Sequence, residues 1–404
     1  MKLALTQLDL RGRRVFLRAD FNVPLSRDQI TDDARIRDVL PTLRHCLSSG
    51  ASVVLASHLG RPAGKDPQYS LKPVAFRLEE LLERPVALVP DCVGPIAEKL
   101  AAALKPGDCL LLENLRFYAE EAANEPAFAQ ALARLADCYV NDAFSVSHRA
   151  HASVVGITRF LRPAAAGFLM LRELITLGRV LNQPKRPLVL ILGGARVSDK
   201  LGILRNLVPH VDRLLVGGAM AFTFLKALGA ETGSSRVETE LVPMAKKTLE
   251  EARIRQVPVL LPEDVVAATY PGDRDRIITV PAERIPLALA GFDIGPATMG
   301  RFREALRDAG TVVWNGPLGM VEQPLFALGT TELAKALGDC GGLTVAAGGD
   351  TVAAIRRAGV ADRLSYLSPS GGAFLEALEG RELPGVAALS DVTPRPLAEA
   401  QACR

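Results

Sequence analysis

Short apolar runs, each closed by a turn former, recur along the chain and alternate with stretches whose apolar residues return at every third or fourth position. The first pattern marks buried strands and the second amphipathic helices. Val15–Leu17, Ala51–Ala56 and Cys109–Leu112 predict strands, and Leu132–Cys138 leads into a further apolar stretch at Tyr139-Val140. Leu71–Leu82 has helical spacing, with Leu71, Val74, Ala75, Leu78, Leu81 and Leu82 on one face, and Asp33–Leu43 reads as the start of a helix. Pro163–Leu181 carries a long helical pattern closed by Asn182-Gln183-Pro184, which predicts a connector between two halves and a boundary near residue 185. Beyond it Leu188–Leu192, Arg213–Val216, Thr311–Trp314 and Leu343–Ala346 are again strand-like. Alternating strands and helices imply parallel sheets, whose ligands sit beyond the carboxyl ends of the strands.

Length and composition sharpen this outline. A chain of 404 residues is long for one core, so two domains of roughly 200 residues are expected. No run of about 18 residues lacks a charge or turn former, which predicts no membrane span. Met1–Leu10 lacks the apolar centre of a secretion signal. Six scattered cysteines with no CxxC fit reduced thiols in the cytoplasm better than a disulfide frame or zinc site. The net charge of +3 says little about partners, whereas 37 arginines against 11 lysines is a marked bias.

Candidate chemistry lies at the strand ends. In the first half they supply Arg61, Arg116, Arg149, His58 and His151, with Arg35 from a following helix. One arginine at a strand end is ordinarily a solvated surface residue; four on one rim are harder to dismiss. The guanidinium fork pairs with carboxylate and phosphate oxygens two at a time, so the rim should hold a small, highly anionic molecule. Asp20 and Asn22 would bind hydroxyls or orient the arginines, or merely stabilise a turn. His148 reads as a core residue satisfied by backbone carbonyls.

In the second half the strands end in glycines: Gly193-Gly194, Gly217-Gly218, Gly316-Pro317 and Gly348-Gly349. Such turns let backbone N–H groups approach phosphates. The stretch LVLILGGARVSDK, residues 188–200, joins a strand, two glycines, a helix start and the cations Arg196 and Lys200, an arrangement suited to anions. Neither GxxxxGK(S/T) nor GxGxxG occurs, which argues against a P-loop kinase and an ordinary dinucleotide dehydrogenase. An extended nucleotide polyphosphate suits these loops. Asp350 opens a helix and is either its N-cap or a ligand for the Mg²⁺ that accompanies nucleotide phosphates.

The ordered motifs VFLRADFNVPL, SHLGRP, ENLRF, NDAF, HRAHAS, LGGARVSDK, VWNGPLG and AGGDT resemble those of the phosphoglycerate kinases, over nearly the full length. The resemblance implies an α/β protein of two doubly wound, Rossmann-like parallel-sheet domains joined by a hinge. It divides the chain into a triose-phosphate-binding domain over 1–170 and a connector helix with nucleotide-binding domain over 171–384. The tail, about 385–404, would pack back on the first. It implies reversible transfer of a phosphoryl group between 1,3-bisphosphoglycerate and ADP, with Mg²⁺, by a monomer that meets neither nucleic acid nor membrane. Residue by residue it implies a triose site of Asp20, Asn22, Arg35, His58, Arg61, Arg116, Arg149 and His151, with Arg35 reaching the transferring group. On the nucleotide side it implies Lys200 on the phosphates, Gly291 beside the nucleoside and Glu322 on the ribose. Gly348, Gly349, Asp350 and Thr351 would hold phosphates and metal.

The departures from the family pattern are Arg196 for a lysine, Ala219 and Ala347 for glycines, and Pro369-Ser370 in the last glycine loop. A methyl group there can forbid a positive φ or block backbone approach. They support one alternative, a non-catalytic homologue that binds triose phosphate or nucleotide. A generic sugar-phosphate enzyme would leave the second set of glycine loops unexplained. For a kinase, Arg35, Arg196 and Lys200 with Mg²⁺ would neutralise the transferring group, and no general base is needed. Two sites on separate domains call for hinge closure, which also excludes water.

Overall fold

The computed structural model describes residues 1–27, 29–274 and 276–392. The described chain divides into two units, one of Met1–Leu174 with residues 382–392, the other of Ile175–Arg381. The boundary therefore falls inside the helix Phe168–Leu181.

In the first unit six parallel strands form one sheet: β1 (Arg14–Arg18), β2 (Ser52–Ala56), β3 (Ala87–Leu88), β4 (Cys109–Leu111), β5 (Cys138–Asn141) and β6 (Ala164–Ala166). Their order is β3-β4-β2-β1-β5-β6. The chain leaves central β1 in one direction and later returns to its other side, which makes the end of β1 a switch point where ligands bind. Register brings Arg18 level with Ala56 on one neighbour and Asn141 on the other. β1, β2 and β5 are buried almost throughout, as strands covered on both faces must be. The helix Ala34–Ser48 packs Ile36, Val39, Leu40 and Leu43 into the same core.

The second unit repeats the plan with β7 (Leu188–Leu192), β8 (Arg213–Val216), β9 (Val259–Leu260), β10 (Thr311–Asn315), β11 (Leu343–Ala347) and β12 (Tyr366–Ser368). The order β9-β8-β7-β10-β11-β12 places the switch point between β7 and β10. Trp314, fully buried, fills the core below it. A separate antiparallel sheet pairs Asp264–Ala268 with Ile278–Pro281 and Ala290–Ile294, an element the hydrophobic pattern does not predict.

One local expectation changes. The helical pattern over 163–181 divides into strand β6 and the helix Phe168–Leu181, because Ala164–Ala166 pairs with β5 and is wholly buried. Residues 382–392 return to the first unit, where Ser390 N–H donates to Ala164 O at 2.8 Å and Leu3 N–H to Ser390 O at 2.8 Å. The expected tail beyond residue 392 lies outside the described residues.

Candidate functional site

At the carboxyl ends of β1, β2 and β4 the first unit gathers a basic cluster around one carboxylate. Asp20, just past β1, accepts hydrogen bonds from Arg35 Nη1 and Ser145 Oγ, and from Asn22 N–H at 3.0 Å. Burial disfavours its charge, but the fields of His58 and Arg35 with the bonds from Ser145 and Asn22 outweigh that and hold the carboxyl at about 2. Burial, reinforced by Arg18, Arg116 and Arg35 against the pull of Asp20, holds His58 well below its ordinary range. The imidazole is thus neutral at pH 7, and Arg35 is the standing counter-charge of Asp20.

The loop after β2 is clamped from three sides. Asn22 Oδ1 accepts Gly60 N–H at 2.8 Å, Arg116 Nη1 donates to Gly60 O at 2.7 Å, and buried Asn114 bonds Leu59 through both its oxygen and its amide. Gly60 is required there: its φ is +62° and a Cβ would lie 2.4 Å from the Tyr69 ring. Arg61, next in the loop, is exposed. Burial, then Arg18 and Arg149, lower Arg116 to about 10 while Asp20 and Glu121 oppose, so it stays charged at neutral pH. Burial with Arg18, Arg116, Arg149 and His148 brings His151 down to about 4, leaving it neutral. Arg149 is half-buried and its Nε donates to His148 Nε2 at 3.1 Å. A side chain, not a backbone carbonyl, therefore meets that nitrogen of His148.

The second unit stacks its turns backbone on backbone. Gly193 N–H donates to Asn315 O at 2.9 Å, Gly194 N–H to Pro317 O at 2.7 Å and Gly218 N–H to Leu318 O at 2.9 Å. A Cβ on Gly193 would lie 2.2 Å from Pro317 O. Lys200 Nζ donates to Asn315 Oδ1, and Asn315 Nδ2 to Ala347 O at 2.7 Å. Burial lowers the Lys200 ammonium, opposed by Asp199, Asp350 and Glu379. Arg196 folds back on Asp199 as a fork, both nitrogen–oxygen distances 3.0 Å. Glu238 receives Val197 N–H, Ser198 N–H at 3.3 Å and Ser198 Oγ at 2.6 Å.

Asp350 is exposed in the first turn of the helix Gly349–Arg357, whose N-cap is Gly348; the N-cap reading of Asp350 is overturned. Thr351 is buried and its hydroxyl accepts Gly316 N–H at 2.8 Å. Gly291 N–H donates to Ser235 Oγ at 2.9 Å, and a Cβ there would meet the Phe222 ring at 2.3 Å. Met320 N–H donates to Phe292 O at 2.8 Å, which ties the loop of exposed Glu322 to the strand of Gly291. The departures fit their backbone: Ala219 has φ −64° and Ala347 ends strand β11, so neither needs the freedom of glycine.

Arg18, Ser145, Asn114, Glu121, Ser153, Asn315, Asp199 and Glu238, none of them a site candidate in the sequence, hold the candidates in place. Signals existed for Arg18, a charged residue closing an apolar strand, and for Asp199, three positions from Arg196.

The phosphoglycerate kinase family model matches residues 5–381. Among curated relatives, a phosphoglycerate kinase of Desulfosudis oleivorans is 51% identical over 97% of this chain and 99% of its own. A cytosolic one of Triticum aestivum is 51% identical over 96% and 98%. The solved phosphoglycerate kinase of Coxiella burnetii aligns with TM-score 0.90 and 37% identity, covering 96% of this chain and 98% of that one. That of Pyrococcus horikoshii gives TM-score 0.82 and 34% identity at the same coverage. Two switch-point sites of opposite chemistry, on a chain matched almost from end to end, lead to one conclusion: the chain belongs to the phosphoglycerate kinase family.

Proposed function

We propose that the basic cluster of the first unit binds 3-phosphoglycerate or 1,3-bisphosphoglycerate and that the glycine turns of the second bind ADP or ATP with Mg²⁺. The activity is the family's, reversible phosphoryl transfer that gives 3-phosphoglycerate and ATP. The observation that carries the assignment of sites is the convergence of Asp20, Arg35, His58 and Arg116 at one switch point. Arg61, Arg149, His151 and Asn22 complete the triose site in this reading.

Transfer of a phosphoryl group leaves the protein little covalent work; it aligns the reactants and neutralises the equatorial oxygens. Arg35, Arg196 and Lys200 take that role. Arg196 must then exchange Asp199 for phosphoryl oxygens, a cheap exchange because exposed ion pairs contribute about 0–1 kcal/mol. The triose carboxylate and the nucleotide β-phosphate are already anionic, so no proton is removed. Glu322 receives the ribose, Gly291 borders the nucleoside, and Gly348, Gly349 and Thr351 border the phosphates. Among the described residues no group of three or more His, Cys, Asp or Glu could hold a metal ion. One exposed carboxylate, Asp350, fits Mg²⁺ that takes its other ligands from phosphates and water. When bound, Mg²⁺ neutralises charge on the transferring group. With the two ligand sets on different units, transfer calls for hinge closure. The same proposal makes the protein a cytoplasmic monomer with no nucleic-acid or membrane partner; no described helix is long and apolar enough to cross a membrane.

Steady-state kinetics on the full chain tests the separation of sites. Arg61→Ala and Arg149→Ala should each raise KM for 3-phosphoglycerate about tenfold or more, as expected for losing a charged hydrogen-bond partner, with KM for MgATP unchanged. Equal losses for both substrates would refute it.

A further inference from the structure

Arg18 is fully buried, although it closes a strand beside the basic cluster. Its Nε donates to Ser153 Oγ at 2.8 Å, its Nη1 to Ala19 O, and its Nη2 lies 3.2 Å from His58 Nδ1. Ser153 in turn gives its hydroxyl proton to Glu121 Oε1 at 2.6 Å and its N–H to Glu121 Oε2 at 2.9 Å. Glu121 and Ser153 are also fully buried. A buried carboxylate and a buried guanidinium are thus joined through one hydroxyl.

The direction of each bond in this chain is fixed by chemistry. The Nε–H of Arg18 only donates, so the lone pairs of Ser153 Oγ face Arg18 and its proton points to Glu121. A guanidinium only donates, so His58 Nδ1 must accept. A neutral imidazole with Nδ1 as acceptor carries its proton on Nε2. That nitrogen faces the cluster: Asp20 Oδ1 lies 3.9 Å from it, beyond hydrogen-bond reach.

We infer that Arg18, held by Ser153 and Glu121, is a positioning residue that locks His58 in the Nε2–H tautomer and so presents an N–H donor to the anionic triose. The inference rests on the assignment of His58 to the triose site. The relay supplies a donor without adding a further charge to a cluster that already holds Arg18, Arg35 and Arg116. It also gives the buried Glu121 a purpose, since it accepts the hydroxyl proton and N–H of Ser153 and so holds the group that anchors Arg18.

Nitrogen-15 NMR of the histidine rings in the ligand-free full chain reads the tautomer directly, with His58 assigned by comparison with His58→Gln. The expected parent spectrum has a protonated Nε2 and an unprotonated Nδ1. Arg18→Met keeps bulk and removes every donor, and Ser153→Ala, a milder change, removes one anchor of Arg18. Both should move the His58 signals toward a mixture of tautomers. Each should raise KM for 3-phosphoglycerate about fivefold, the size of one neutral hydrogen bond, with KM for MgATP unchanged. A parent carrying Nδ1–H, or signals unmoved in Ser153→Ala and in Arg18→Met, overturns the lock. Shifted tautomers with KM unaltered would leave the lock standing and overturn the placing of His58 in the triose site.

Discussion

Replacing Asp142 with asparagine should make the protein more stable at pH 8 and leave it unchanged near pH 4. Asp142 follows β5 and is fully buried. Its Oδ1 receives Met170 N–H at 3.1 Å at the start of the helix Phe168–Leu181, while its Oδ2 meets no hydrogen-bond partner. Burial raises the carboxyl from 3.8 to about 7, against the hydrogen bonds from Thr42, Met170 and Leu169. An acid raised in this way holds its proton more tightly folded than unfolded. Its favourable contribution is complete below pH 3.8, declines as the pH rises, and is gone above about pH 7. At about 1.4 kcal/mol per pH unit, the span amounts to about 4 kcal/mol at most. Asparagine has the same shape and no charge to pay for, so its stability should not follow this decline. The assay is urea unfolding of parent and Asp142→Asn between pH 5 and 8.5, read as the difference between the two. Subtraction removes the contribution of Asp293, which burial also raises to about 7. A gap that stays constant across this range would refute the argument, because a carboxyl with an ordinary pKa is already ionised at pH 5.

The remaining expectations concern the second unit. Gly193→Ala places a Cβ 2.2 Å from Pro317 O and 2.6 Å from Gly316 O; overpacking of this kind costs about 1–3 kcal/mol, and thermal unfolding should show it together with a raised KM for MgATP. Asp350→Asn should abolish turnover at limiting Mg²⁺ with little change in melting temperature, because the N-cap of its helix is Gly348; normal turnover would remove the metal role. Arg196→Ala should slow turnover by roughly 10²–10³, the usual effect of deleting a transition-state donor. Arg196→Lys should stay within about tenfold of the parent, a margin near 1.4 kcal/mol; an alanine variant as fast as the parent would exclude a catalytic role.

What could be read from the sequence was whatever depends on local order. Parallel strands buried on both faces are continuous apolar runs, so β2, β7, β8 and β10 are visible as such, and the arginines and glycines behind them mark their carboxyl ends. The edge strand β6 was hidden because Ala164–Ala166 is equally at home in a helix; its pairing with β5 decides the matter. The antiparallel sheet was hidden because Ile278–Pro281 is mostly exposed and carries no apolar run. What escaped altogether depends on which distant residues share a hydrogen bond. Arg18 and Ser153 lie 135 positions apart, and Lys200 and Asn315 lie 115 apart, so no spacing rule joins them. Arg196 and Asp199 are a contrasting case, since a separation of three was plain to see. Their pairing bears on the departure at residue 196, because the fork of an arginine engages both carboxylate oxygens where an ammonium is a point charge. In this chain the substituted cation has a resting partner suited to its own shape. At this exposed position the exchange of Asp199 for phosphoryl oxygens costs about 0–1 kcal/mol, so the substitution should leave turnover within about tenfold of a lysine at the same place.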